Sequence, residues 1–484
     1  MNVNPITRLD YPDLDVIRVE DTYYMVSTTM HFMPGCEILQ SFDLVHWEHV
    51  TYVYETLDHT DAQQLKSGQN IYGQGMWAAS LRYHEGRFYI CFVANDTRKT
   101  YLYTSEKIDG PWKKQLIEGF YHDGSLLFDE DGRNYIVYGN DEIWITELNE
   151  DLTAPKKDGL HRLLVSDHKN PELGYEGSHI QKINGYYYIF LVHSLRDRWM
   201  RTEACFYSDS LEGEFTGGDV LCDDRGYCGQ GVAQGGIVDT PDGKWYAMLF
   251  QDSGAVGRIP ILLPVTWKDH FPFFGQNGHV PEEIEVHSTR PGYIYQPLVG
   301  SDDFCNGLLP RWQFNHDPDP RYYHLDALQG TYTITTREVC TELTQAVNTL
   351  TQRMSYPSCA AEVTVDASAL KEGDVAGLCA LQSCYAAVGI TKHHGKYEVL
   401  MLDKKEDGIL DMTEGTVVES HQMDFRLEAD FCNMKDEARC YYRVNKGDWL
   451  PIGTVHKLYF KLDHFTGCRF GLFCYAAEET GGSA

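Results

Sequence analysis

"EDGRNYIVY" (residues 130–138) sets an Asp-Gly dipeptide three residues ahead of a tyrosine that opens an apolar, β-rich run. Asp-Gly tolerates the positive φ that a tight hairpin turn requires, and the residues behind it suit a pleated, half-buried strand. The arrangement recurs as "HEGRFYICF" (84–92), "INGYYYIFL" (183–191) and "PDGKWYAML" (241–249), and "VEDTYYMVS" (19–27) carries Glu-Asp in place of the dipeptide. Aligning Tyr24, Tyr89, Tyr135, Tyr188 and Tyr246 gives intervals of 65, 46, 53 and 58 residues. Each interval holds a four-stranded unit with loops of variable length, so the repeat predicts propeller blades. A second echo, in "SFDLVHW" (41–47), "SEKIDGPW" (105–112) and "SDSLEGEF" (208–215), reads as outer blade strands. Helical periodicity is almost absent. The fold class is all-β, with a five-bladed β-propeller over residues 1–300; radial repetition favours it over a single sandwich.

The repeat stops at "STRPGYIYQPLVGSDDF" (288–304), where a Pro- and Gly-bearing connector leads into another strand-rich region. Alternation in "CAAEVTVDASAL" (359–370) and "YAAVGITK" (385–392) predicts a β-sandwich, jelly-roll-like, over residues 301–484. The sandwich is expected to have one more strand beyond "AAEETGGSA" (476–484), so the C-terminus reads as truncated.

Composition narrows the function. The 484 residues, 43% hydrophobic and 13% aromatic, suffice for large cores in two or three domains. A formal net charge of -30 with no basic run repels a polyanion, so nucleic acid is excluded as a partner. No apolar window reaches membrane-spanning length and the start "MNVNPITRLD" has no signal-peptide pattern, which predicts a cytoplasmic protein without a membrane partner. The 14 cysteines are scattered without a CxxC pair and read as free, mostly buried thiols. "FDEDGRNY" (128–135) lacks the remaining ligands of a calcium loop, and "GQGVAQGG" (229–236) departs from the phosphate-loop pattern.

An isolated Asp or Glu beside a strand is usually a turn former or a solvated group. Here three acids share one placement: Asp13 in "LDYPDLDVIRV", Asp123 in "YHDGSLLF" and Glu176 in "GYEGSHI" each precede an apolar strand, in three different blades. Innermost propeller strands run along the central channel, so these carboxylates should converge on one axial pocket. Convergent carboxylates are what glycoside hydrolysis requires.

With these residues the chain resembles glycoside hydrolase family 43, the β-xylosidases and α-L-arabinofuranosidases built on five-bladed propellers. The resemblance runs through residues 4–48, "GMWAASLRYHEGRFYI" (75–90), "DGSLLFDEDGRNYIVYG" (123–139), "YEGSHIQKINGYYYIF" (175–190), the segment 235–267, "NTLTQRM" (348–354) and "GDVAGLCALQ" (373–382). It implies that Asp13 is the general base and Glu176 the general acid, with Asp123 orienting Glu176 and raising its pKa. It also implies that Arg258 and Gln234 contact the sugar and that Phe32 and Trp77 wall the subsite. An inverting enzyme holds its two carboxyl groups about 6.5–9.5 Å apart, leaving room for a water. Asp15 stands as a less favoured alternative to Asp13, and Asp10 reads as non-catalytic; alternation would turn Asp15 away from Asp13 or sideways into a loop.

Two departures from the family pattern matter. "WAA" (77–79) replaces the more usual "WAP", and the family's frequent histidine near a central cation or water falls on Gln234. No cofactor is therefore required and no metal ligand is assigned; a central divalent cation such as calcium, which accepts amide oxygens, is compatible with Gln234 but not supported by the sequence. The resemblance implies an inverting, exo-acting β-xylosidase that takes small xylo-oligosaccharides. An α-L-arabinofuranosidase with the same residues is the alternative, a non-catalytic sugar-binding propeller a minor one, and a homo-oligomer is compatible with either.

Overall fold

The computed structural model describes residues 2–413 and 415–484. Five antiparallel four-stranded sheets follow one another along the chain. Blade 1 comprises Asp15–Val19, Thr22–Ser27, Gly35–Ser41 and Glu48–Tyr54; blade 2, Met76–His84, Arg87–Ala94, Lys99–Ser105 and Lys113–Ile117. Blade 3 comprises Ser125–Phe128, Asn134–Asn140, Glu142–Leu148 and His161–Ser166; blade 4, Glu176–Ile183, Tyr186–Ser194, Arg201–Ser208 and Thr216–Leu221. Blade 5 comprises Val232–Asp239, Trp245–Asp252, Arg258–Lys268 and Phe271–Phe274. The first strand of each blade touches the first strand of the next, and that of blade 5 touches that of blade 1, so the ring closes around an axis. Outside the blades, Asn2–Val3 pairs with Glu283–Ile284, which joins the start of the propeller to the segment after its last blade.

All five aligned tyrosines lie on the second strand of their blade. Their placement follows from how a propeller buries its faces, since each wedge between blades must be filled by its own apolar cluster. Blades 1 and 2 enclose Val26, Ile38, Leu81 and Phe92; blades 3 and 4 enclose Tyr135, Val137, Ile180 and Leu191. Tyr188 and Tyr246 serve the wedges on either side of blade 5. The serine echo has a different meaning from the one expected. Ser41, Ser105 and Ser208 end third strands, so the motif marks the turn into the outermost strand and not that strand itself.

The second domain packs two sheets face to face. Ser358–Asp366, Gln422–Asp430, Glu437–Val444 and Leu450–Lys457 form one sheet. The other runs through Lys396–Lys404, Ala386–His393, Val375–Leu381, Arg469–Tyr475, Leu350–Arg353 and Gln313–Asn315. Leu378, Val388, Phe425 and Leu427 lie in the core between them. At the edge of the larger sheet, Gln313–Asn315 pairs with Phe32–Met33 from the blade 1 loop, so one continuous sheet crosses the domain boundary. Met76 in blade 2 bridges Met30 in the same loop, which carries this seam to the mouth of the axial channel.

Candidate active site

The expected site residues lie at backbone irregularities near the starts of strands. Asp13 and Asp123 have φ of 51° and 48°, in the left-handed region that few non-glycine residues adopt. Bulges interrupt the pairing of first and second strands at Met76/Ala79, Glu176/His179 and Ala233/Gly236, beside Trp77, at Glu176 and around Gln234. A bulge adds a residue to one strand and re-aims its side chain, which lets a regular blade present a chosen group at the axis.

Asp13 Oδ1 accepts hydrogen bonds from Arg258 Nη1 at 2.9 Å and Gln234 Nε2 at 3.0 Å. Arg258 opens the third strand of blade 5, is only 1% exposed, and donates through Nη2 to the Phe465 carbonyl at 3.2 Å. Gln234 is fixed in turn by its backbone N–H, which donates to Glu203 Oε2 at 2.7 Å, and by Arg201 Nη1, 3.5 Å from its amide oxygen. The oxygen that a calcium ion would take thus faces a guanidinium.

Across the pocket, Asp123 Oδ2 accepts the Gly177 N–H at 3.0 Å and Glu176 Oε2 accepts Asn140 Nδ2 at 2.7 Å. Gly177 has φ of 65°, and a Cβ there would meet Gln234 Cγ at 2.8 Å, so this position demands glycine on both counts. His122 Nε2 lies 3.6 Å from Asp123 Oδ2 and 3.7 Å from Glu176 Oε2. Burial, with the charges of Glu176 and Asp13 added, raises the Asp123 carboxyl to about 6 against the pull of His122. Asp123, followed by Glu176, raises the His122 imidazole to about 9. The three facing atoms of His122, Asp123 and Glu176 lie within 4.8 Å of one another. A cation could bridge that span, and the His122 imidazolium supplies one positive charge to the same two carboxyl groups.

Trp77 faces the His122 ring at 5.8 Å and the Phe465 ring at 5.5 Å, forming an aromatic wall beside the carboxylates. Phe465 belongs to the sandwich domain and packs under the Arg258 guanidinium, 4.4 Å from ring centre to Cζ. The second domain therefore completes the pocket.

Asp13, Asp123, Glu176, Trp77, Arg258 and Gln234 come together as expected, and Phe32 does not. It is 2% exposed and packed in the sandwich-side core with Leu343 and Tyr385, with the Arg469 guanidinium 3.5 Å over its ring, so it cannot line a subsite. Asp15 is corrected as well. It is fully buried on the axis and bound to Arg82 Nη1 at 2.7 Å and His179 Nδ1 at 3.1 Å, so it points neither into a loop nor at a water it could activate. Asp10 accepts the N–H groups of Arg258 and Gly467, which makes it a joint between the domains. Sequence reasoning missed His122, Asn140, Arg201 and Phe465. Only His122, adjacent to Asp123, stood beside a residue already singled out.

Residues 3–272 match the family model described as glycosyl hydrolases family 43, and residues 301–484 match the β-xylosidase C-terminal concanavalin A-like domain. The chain belongs to glycosyl hydrolase family 43. This family 43 glycosidase is 26% identical, over 99% of its length, to a β-xylosidase from Formosa agariphila, of which it covers 88%. It is 24% identical, over 85% of its length, to a non-reducing end α-L-arabinofuranosidase from Bacteroides ovatus, of which it covers 79%. Among solved structures, a bifunctional GH43-CE protein of Bacteroides eggerthii superposes with a TM-score of 0.93 and 41% identity; the whole family 43 chain is covered, and it spans 62% of that protein. An engineered GH43 glycoside hydrolase with both endo-xylanase and exo-arabinofuranosidase activity superposes with a TM-score of 0.86 and 28% identity, over 99% of this chain and 97% of that one.

Proposed function

We propose that this enzyme is an inverting, exo-acting β-xylosidase that removes xylose from the non-reducing end of short xylo-oligosaccharides. The observation that carries the reading is the meeting of Asp13, Asp123 and Glu176, from three blades, in one pocket walled by Trp77 and Phe465. Asp13 acts as the base. Its carboxylate is oriented by two donors, Arg258 and Gln234, and it takes a proton from the attacking water. Glu176 acts as the acid and gives its proton to the glycosidic oxygen. Arg258 holds Asp13 in place and contributes positive charge beside the sugar. The aromatic wall suits the apolar face of a sugar ring, and closure by the second domain favours a chain end over a chain interior. An α-L-arabinofuranosidase is the second reading, favoured by the similarity to the Bacteroides ovatus enzyme.

Parallel assays on nitrophenyl β-xyloside and α-L-arabinofuranoside separate the two readings, and hydrolysis of neither would leave only a sugar-binding propeller. Proton NMR in the first minutes should show α-xylose as the first product of a β-xyloside. Early β-xylose would require a double displacement and overturn the assignment. We further propose that no metal is needed, because the Gln234 amide is committed to Asp13 and Arg201. Activity should survive prolonged chelation, and a loss restored by calcium would refute this. The 14 cysteines are all unpaired among the described residues, which supports action in a reducing compartment such as the cytoplasm.

A further inference from the structure

We propose that His122 is the positioning residue of the proton-donating pair: facing both Asp123 Oδ2 and Glu176 Oε2, it selects the oxygen of Glu176 that carries the proton. The proposal rests on the reading of Glu176 as the acid.

The geometry begins with the backbone. Successive residues of an extended strand point to opposite faces, yet His122 and Asp123 are adjacent and their side chains meet. The left-handed φ of 48° at Asp123 makes this convergence possible. The carbonyl of His122 accepts the Gly139 N–H at 3.0 Å, which pins the loop to the second strand of blade 3. Trp77 flanks the ring, and Nε2 is buried without a hydrogen-bond partner within normal distance. It is nearly equidistant from the two carboxylate oxygens, at 3.6 and 3.7 Å.

Those two oxygens are also the ones bound by other donors, Asp123 Oδ2 by Gly177 and Glu176 Oε2 by Asn140. Three groups thus hold one edge of the carboxylate pair. Among the described residues Glu176 Oε1 accepts no hydrogen bond, so it is the oxygen available to present a proton to a leaving group. A proton on Oε2 would face the N–H of an imidazolium; a proton on Oε1 meets no such opposition. With Glu176 read as the acid, its proton starts the cycle on Oε1, the oxygen turned away from His122. During hydrolysis the Glu176 proton passes to the glycosidic oxygen as the bond to the anomeric carbon breaks. The water loses its proton to Asp13 as its oxygen bonds that carbon, and exchange with solvent restores both carboxyl groups. His122 keeps its proton throughout.

The charged groups around this ring are few. Asp123 faces it from its own loop, Glu176 from the start of blade 4 and Asp13 from the loop before blade 1. Arg201 and Arg258 lie behind Glu176 and Asp13, and each is engaged by a carboxylate, Asp252 and Asp13 respectively. Removing the imidazolium therefore leaves the pair with more negative surroundings, and its proton should be held more tightly.

His122→Gln places a neutral amide nitrogen near the position of Nε2, whereas His122→Asn removes the donor as well. Both are to be compared with wild type and Glu176→Gln on nitrophenyl β-xyloside and on xylobiose across pH, after circular dichroism shows each to be folded. The basic limb of kcat/KM should move up by about one pH unit in both His122 variants. On xylobiose, His122→Asn should lose roughly tenfold or more in kcat and His122→Gln less, with KM nearly unchanged. A limb that stays in place or moves down in a folded variant overturns the proposal, and a uniform loss at every pH reduces His122 to a packing residue. If wild type hydrolyses neither substrate, or Glu176→Gln retains full activity on xylobiose, the functional reading itself falls. If Glu176→Gln is impaired and the His122 limbs are unmoved, only the role given to His122 falls.

Discussion

At Asp123, position and stability oppose each other. The unfolded chain releases this proton near pH 4, while the folded chain holds it to about 6. Stability from this group is therefore full below about pH 4 and declines as pH rises to 6. Above that, the ionised carboxylate costs about 3 kcal/mol. Asp123→Asn removes the penalty, so thermal melts at pH 7–8 should show the variant more stable than wild type by about 2–3 kcal/mol, with no difference at pH 4. Its activity should fall, because the neutral amide no longer supports Glu176. The two groups assigned to the chemistry differ in another way. Asp13→Ala and Glu176→Ala should each lower turnover by about 10²–10⁴-fold. A dinitrophenyl leaving group departs without a proton, so it should rescue Glu176→Ala and leave Asp13→Ala impaired. Equal rescue of both would contradict the assignment.

Among the elements, the innermost strands depend on one buried ion pair. Asp15 accepts from Leu81 N and Arg82 Nη1 in blade 2 and from His179 in blade 4. Arg82 continues to the Leu126 carbonyl and Ser125 Oγ in blade 3 and to the Ile180 carbonyl in blade 4. Two side chains thereby tie four first strands together. Burial alone would raise the Asp15 carboxyl, but Arg82 and His179 outweigh it and hold the group at about 2. This contribution, about 2 kcal/mol, is present above pH 4 and lost as pH falls toward 2. Asp15→Asn should destabilise by about 3–5 kcal/mol at pH 7, because Arg82 is left buried without its counter-charge. Urea unfolding at pH 7 and pH 3 should show that difference shrinking in acid. A variant as stable as wild type at pH 7 would show the axis is held by other contacts.

For the whole molecule, the seam between domains is an acid-sensitive joint. His31 from the blade 1 loop and His316 and His464 from the sandwich lie together, with His31 4.9 Å from His316 and 5.8 Å from His464 between ring centres. Tyr72 of the propeller stacks on His464 at 3.9 Å. Burial, reinforced by neighbouring positive charge, holds all three imidazoles below the ordinary histidine range, His464 at about 3. The unfolded chain takes up these protons near pH 6.5 and the folded chain does not. Stability is thus full above about pH 6.5 and falls below it, by at most about 1.4 kcal/mol per pH unit for each histidine. Calorimetry between pH 7 and pH 5 should show Tm dropping steeply, with a shallower slope in His464→Asn. Because Phe465 follows His464, activity on xyloside should be lost with the seam. A Tm independent of pH in this range would contradict the account.

The propeller was legible because its repeat is written in local chemistry. A turn dipeptide and a tyrosine three residues later suffice to mark each second strand, whatever the rest of the chain does. The acids were legible for a related reason: Asp13, Asp123 and Glu176 stand at the starts of first strands, and a closed ring of such strands brings their starts to one axis. What the chain-order pattern could not show is which way a residue turns once the backbone leaves the regular ladder. Asp15, at the start of a regular strand, points into the axial core and not into a loop as alternation suggests, whereas Asp13 and Asp123 reach the pocket through left-handed backbone and Glu176 through a bulge. Phe32 and Phe465 make the same point across domains. Their places in the sequence favoured Phe32, but pairing of Phe32–Met33 with Gln313–Asn315 draws that loop into the sandwich, and Phe465 packs against Arg258 instead. Turn chemistry acts over a few residues and can be read in order; the pocket depends on contacts between residues hundreds of positions apart, which only the folded chain brings within reach.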